Sequence, residues 1–131
     1  FFEGTIINAG RGTEFQFQRY GASFFAKSNF SYTPKPNFGS KYPKQKGKLC
    51  YGVDLSATQK LSAINLEWLI DAYQKTPKTE KFFGKTFTIH AGNTKLQQQI
   101  EQGLNTKEIR KSWKKDLEAF KVTRKNYLIY N

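Results

Sequence analysis

NTKEIRKSWKKDLEAF, residues 105–120, decides the class of this fold. Asn105 followed by Glu108 has the form of a capping box, in which each side chain accepts from the other residue's backbone N–H. Ile109, Trp113, Leu117 and Phe120 then recur at spacings of four, four and three, which is one apolar stripe on a helix. Lys107, Arg110, Lys111, Lys114, Lys115, Lys121, Arg124 and Lys125 make a basic, solvated polar face opposite it. The pattern predicts a helix over 106–125 with its stripe turned into the core.

Working back from there, a second helix carries Leu96 and Ile100, capped by Asn93 or Thr94. Gly103 with Leu104 suits its C-terminus. A third is predicted over 62–75. Ser62 is its candidate N-cap, Leu61 and Leu66 stand at staple spacing, Ile64, Trp68, Leu69, Ala72 and Tyr73 form the stripe, and Thr76-Pro77 is the stop. Strand signals lie mostly ahead of these helices. Residues 1–8, 15–20 and 49–55 read as strands, with Lys85–Ile89 a short later one and Tyr127–Tyr130 a closing strand or docked tail. Residues 31–48, with three prolines, two glycines and five lysines, read as a loop, either wrapped over a site or a surface excursion. Strands early and helices late, without repeated βαβ alternation, predict an α+β fold. The expected architecture is a small, largely antiparallel sheet with about three helices packed against it, and residues 1–131 as a single domain.

The composition supports a folded chain. Twelve Phe, seven Tyr and two Trp give a 131-residue chain large apolar surfaces. No apolar run is long enough to span a bilayer, and no signal peptide is visible. Twenty-two Lys and Arg against ten Asp and Glu give a net charge of +12, which favours an anionic ligand or a soluble, solvated surface. Cys50 is the single cysteine, so it has no internal disulfide partner and no CxxC metal site; it reads as a small core residue. No RNP1 pattern, zinc finger or dedicated basic DNA-reading helix is present, which makes nucleic acid an unlikely partner.

Three places carry candidate chemistry. The loop Gly10-Arg11-Gly12-Thr13 is either a glycine turn with an exposed Arg or a cradle in which backbone N–H groups and a guanidinium hold an anion. It is neither a P-loop nor a dinucleotide fingerprint. Glu3 has three readings: an ion pair with Arg11, a holder of ligand hydroxyls, or a catalytic acid or nucleophile. Most glycosidases need two carboxyls, and Asp54 is the nearest early candidate for a second, with nothing in the sequence that pairs it to Glu3. His90 is the only histidine and has no metal-ligand spacing around it, so no metal site and no cofactor are expected.

In order along the chain, FEGT-x4-GRGT (2–13), P-x-P-N-x-G (34–39), GK-x-CYGVDL (47–55), NLEWLIDAY (65–73), LQQQIEQGL (96–104), EIRKSW (108–113) and LEAFKVTRKNYLIY (117–130) resemble the C-terminal domain of bacterial exo-β-N-acetylmuramidases. KFFGKTFTIH (81–90) matches least. The resemblance covers nearly the whole chain. It implies a preceding Rossmann-like domain that holds the main catalytic Glu, a substrate cleft between the two domains, and release of N-acetylmuramic acid from non-reducing ends of peptidoglycan fragments. It would also account for an opening without Met. The place implied is extracytoplasmic: periplasmic, secreted or lipid-anchored. The partners implied are a peptidoglycan-derived sugar and the N-terminal domain. With that substrate, Arg11 and the backbone N–H groups of 10–13 become expected readers of the lactyl carboxylate. Glu3, Asn8 and Thr13 complete the expected substrate-binding set, Glu3 and Asn8 by holding hydroxyls or orienting Arg11. The competing reading is a basic, non-catalytic module for a polyanion, either a cell-wall polymer or nucleic acid.

Overall fold

A computed structural model describes residues 2–130. Three strands, β1 (Arg19–Ala22), β2 (Ser31–Tyr32) and β3 (Cys50–Asp54), form one antiparallel sheet in the order β1-β3-β2. Four helices follow: α1 (Glu67–Gln74), α2 (Phe87–Ala91), α3 (Lys95–Glu101) and α4 (Thr106–Lys125). The α+β class and the strands-then-helices order stand as expected. Gly21 faces Gly52 across β1 and β3, and a Cβ on Gly52 would lie 1.9 Å from the Tyr20 carbonyl oxygen. Glycine is there because the two backbones leave no room for a side chain.

One core joins the sheet to the helices. Ile7, Tyr20, Ala22 and Phe25 meet Leu66, Leu69, Ile70, Phe82, Phe83, Phe87, Ile100 and Ile109. The aromatic rings carry much of it: Phe2 stacks on Tyr20, and Tyr73, Phe82, Phe83 and Phe87 form a contiguous cluster. Tyr20 reaches through the core to donate to Asp71 Oδ2 at 2.8 Å, and Lys75 holds the same oxygen.

Several expected elements are displaced. Residues 2–8 form turns rather than a strand; Phe1 lies outside the described residues. Single bridges tie Thr5 to Phe83 and Asn8 to Gly21. Thr5 explains the difference, because its backbone N–H and its hydroxyl both bond the Phe2 carbonyl and close a turn. In the expected strand 15–20, only Arg19 and Tyr20 are in a strand; Phe17 sits at φ +64° in a turn with its ring exposed. The helix expected from residue 62 starts at Glu67, with Asn65 rather than Ser62 accepting from its first turn. Lys85–Ile89 is not a strand: its C-terminal part falls in α2.

The C-terminal third keeps its predicted signals. Leu104 N–H bonds Gln99 O and Gly103 N–H bonds Ile100 O, with Gly103 at φ +81°, which is a Schellman ending for α3. Both halves of the Asn105–Glu108 capping box are formed. The stripe of α4, however, is core only at its start. Ile109 is fully buried and Trp113 packs on the core, but Leu117 and Phe120 are 49% and 62% exposed. Residues 127–130 are neither strand nor docked, and their side chains are exposed.

Candidate functional site

The irregular first third builds a cleft of about 470 Å³. Its walls come from the N-terminal segment (Phe2, Glu3, Ile7, Asn8), the glycine loop (Arg11), the start of β1 (Arg19), the loop at 40–44, Leu55 after β3 and Trp68 on α1. The long loop after β2 therefore wraps over a concavity.

Asn8 is what fixes this architecture. Its Nδ2 donates to the carbonyls of Arg11 (3.0 Å) and Lys44 (2.8 Å). Its Oδ1 accepts from the Gly10 N–H (2.7 Å) and lies 3.1 Å from the Tyr32 hydroxyl, which also reaches the Asn8 carbonyl. Two donors and two lone pairs are all engaged, so the buried side chain ties the glycine loop, β2 and the wrapping loop together. Its bond to Arg11 is made to the backbone carbonyl, so Asn8 holds the loop from which the Arg11 side chain leaves.

Arg11 projects from that loop with its side chain exposed, and Nη2 donates to the Gly39 carbonyl at 3.1 Å. Glu3 lines the same cleft. The ion pairs among the described residues are Lys75–Asp71 and Lys121–Glu118, so Glu3 and Arg11 are not bonded to each other. Thr13 is not among the cleft residues. Its hydroxyl donates to the Gly10 carbonyl and accepts from the Phe15 N–H, a local turn. The N–H groups of Gly10 and Thr13 are likewise spent inside the protein. The glycines have a packing role: a Cβ on Gly10 would meet Phe15 O at 2.4 Å and Arg19 Cγ at 3.0 Å, and one on Gly12 would meet Lys35 O and Pro43 Cγ at 2.7 Å.

Arg19 and Lys44 escaped the sequence reading. The Arg19 guanidinium lies 4.2 Å from the centroid of Phe15, 5.3 Å from Phe30 and 5.6 Å from Tyr32. Three rings hold this cation in the cleft wall, and its buried Nε has no hydrogen-bond partner. Lys44 donates from Nζ to the carbonyls of Phe2 and Glu3, both at 2.8 Å, and so pins the N-terminal segment beneath the loop. Burial holds its pKa below the ordinary lysine value; Glu3 opposes that shift and Arg11 adds to it. Phe15 four residues before Arg19 was a legible hint. Phe30 and Tyr32 come from the next strand region, and nothing distinguishes Lys44 from the lysines around it.

The cleft therefore collects Arg11, Arg19, Lys41 and Lys44 with one carboxylate, Glu3, in its walls. Asp54 is not in its walls. The Asp54 carboxylate accepts from the Ser56 N–H at 2.9 Å, which lowers its pKa. His90 lies elsewhere, exposed, with Nδ1 at 2.7 Å from the Thr86 carbonyl in its own helix turn. Among the described residues no three His, Cys, Asp or Glu side chains stand close enough to hold a metal ion, and no helix is long and apolar enough to cross a membrane.

Comparison with known proteins follows the same lines. The chain is 32% identical to the peptidoglycan beta-N-acetylmuramidase NamZ of Bacillus subtilis, over 98% of this chain and 35% of that protein. A crystal structure of a DUF1343 family protein from Bacteroides fragilis superposes with a TM-score of 0.92 at 40% identity, over 99% of this chain and 38% of that one. The chain thus spans little more than a third of the length of each relative. The family described as exo-beta-N-acetylmuramidase NamZ, C-terminal, matches residues 1–130, and the chain belongs to that family.

Proposed function

We propose that this chain is the C-terminal domain of an exo-acting β-N-acetylmuramidase, which releases N-acetylmuramic acid from non-reducing ends of peptidoglycan fragments. Its cleft supplies substrate-binding groups at the seam with a preceding domain. The observation that carries this reading is the charge of the cleft: four cationic side chains line it with a single carboxylate. N-acetylmuramic acid differs from N-acetylglucosamine by a lactyl ether that ends in a carboxylate. A guanidinium fork matches that group in shape and charge.

In this reading Arg11 binds the lactyl carboxylate and the ring-stacked Arg19 backs it with a fixed positive charge. Glu3 accepts from sugar hydroxyls, Asn8 holds the Arg11 loop, and Thr13 closes the turn beneath it. A glycosidase of the usual kind works with a pair of carboxyls. This cleft offers only Glu3, so the principal catalytic carboxyl belongs to the preceding domain and Glu3 serves binding. A cell-wall substrate also puts the parent protein outside the cytoplasm, whether periplasmic, secreted or lipid-anchored.

The test is turnover by the longer protein that contains this domain, on a chromogenic N-acetylmuraminide and the matching N-acetylglucosaminide. The muraminide should be the substrate. Arg11→Ala should weaken its use by roughly tenfold to a hundredfold, as loss of one charge-assisted bond implies. Equal use of both glycosides, or an unchanged Arg11→Ala enzyme, would contradict the proposal.

A further inference from the structure

The outer half of α4 is built like a buried element and is left bare. At 20 residues the helix is about 30 Å long. Ile109 and Trp113 anchor its first turns to the core, while Leu117 and Phe120 continue the same stripe into solvent. At its foot lies an apolar groove of about 500 Å³, lined by Leu66, Leu69, Phe87, Leu96, Trp113 and Leu117. Stripe and groove together form one continuous apolar surface, of the kind that marks an interaction site.

We propose that this surface is the seat of the remainder of a longer polypeptide, the preceding domain, and that its docking closes the open side of the cationic cleft. The inference rests on reading the chain as a C-terminal domain. Two observations select that occupant. First, the relative that shares this fold over 99% of the present chain has 62% of its own length outside the match, so the same domain exists beside a much larger body of protein. Second, the groove adjoins the cleft, because Glu3 lines both. A body seated in the groove overhangs Glu3 and roofs the site. The surface that fits the groove is apolar.

Hydrogen exchange measured by mass spectrometry decides the matter, on the longer gene product and on residues 1–131 in the same buffer. Amides of 114–125 should exchange at least about tenfold more slowly in the longer protein. A Leu117→Asp/Phe120→Asp double variant of the longer protein should lose that protection. Both side chains are exposed in the domain itself, so the variant should keep the helical circular dichroism of the domain. Equal exchange in both proteins overturns the proposal. So does a gene product that ends at the present boundaries. Protection in residues 1–131 alone also overturns it: if it rises with concentration a second copy is the occupant, and if it does not the tail at 127–130 is. Protection without release of N-acetylmuramic acid leaves the docking surface standing and removes the proposed activity. Release with α4 unprotected does the reverse.

Discussion

The first third of the chain and α4 differ in how they are held. Residues 2–18 contain no strand or helix, yet they are fixed by side chains: Asn8 binds four groups, Lys44 clamps two carbonyls, and Gln45 bonds both Ile6 and Ser23. α4 is the longest regular element, capped at its start, but only its first turns are packed. Regularity and anchorage are separate properties. A helix satisfies its own backbone and still needs an apolar partner for most of its stability. A loop can do without regular bonding if buried side chains take over its polar groups.

That contrast can be broken residue by residue. Ile109→Ala, at the packed end of α4, should destabilise the chain by about 3–4 kcal/mol, measured by urea unfolding. Asn8→Ala should cost about 3 kcal/mol in the same assay, because several buried groups lose their partner at once. If Asn8→Ala costs less than 1 kcal/mol, roughly the net worth of a single hydrogen bond, the loop region is not held as described.

A pH series sharpens the comparison. Burial pushes the Cys50 thiol from its ordinary 9.0 up to about 11, and raises Tyr32. Tyr20 is raised by burial first and then by its bond to Asp71. The unfolded chain loses these protons first, so the folded state holds more of them. The thiol's contribution is complete below pH 9 and is lost as pH rises toward 11, whereas that of the two tyrosines is complete below pH 10 and falls only above it. Lys44, with its pKa lowered, acts with the opposite sign, one group against three. The melting temperature should fall between pH 9 and 10.5, less steeply in Cys50→Ala; a flat profile would count against the burial of all three. Smallest of all, Phe120→Ala should change the stability of this chain by no more than about 0.5 kcal/mol, the range of ordinary surface substitutions. A larger loss would mean that the stripe is already covered.

What could be read from the sequence follows the range of the interactions. Asn105 with Glu108 and Gly103 with Leu104 were legible because all their partners lie within five residues. The apolar run around Cys50 gave β3 for the same reason. Phe2, Thr5 and Ile7 have strand propensity, but the Thr5 hydroxyl closes a turn, and a Cβ on Gly4 would lie 2.2 Å from Phe87 Cα, a contact that no local rule foresees. In the site, Glu3 and Arg11 were legible as isolated chemistry and do share one cleft. Arg19 depends on rings that arrive from Phe30 and Tyr32, and Lys44 on the path of a 17-residue connection between β2 and β3. The stripe through Leu117 and Phe120 shows that a helix has an apolar face, not what lies against it.

The central claim is that the cleft reads a carboxylate-bearing sugar, and the most direct test is an NMR titration of this chain with N-acetylmuramic acid and, separately, N-acetylglucosamine, observing the arginine side-chain Nε–H signals. The account predicts that the muramic sugar alone shifts Arg11 and Arg19, together with backbone amides of residues 3–13, and that Arg11→Ala removes most of the response. Identical shifts with both sugars, or a response to the muramic sugar that leaves both arginines unmoved, would contradict it.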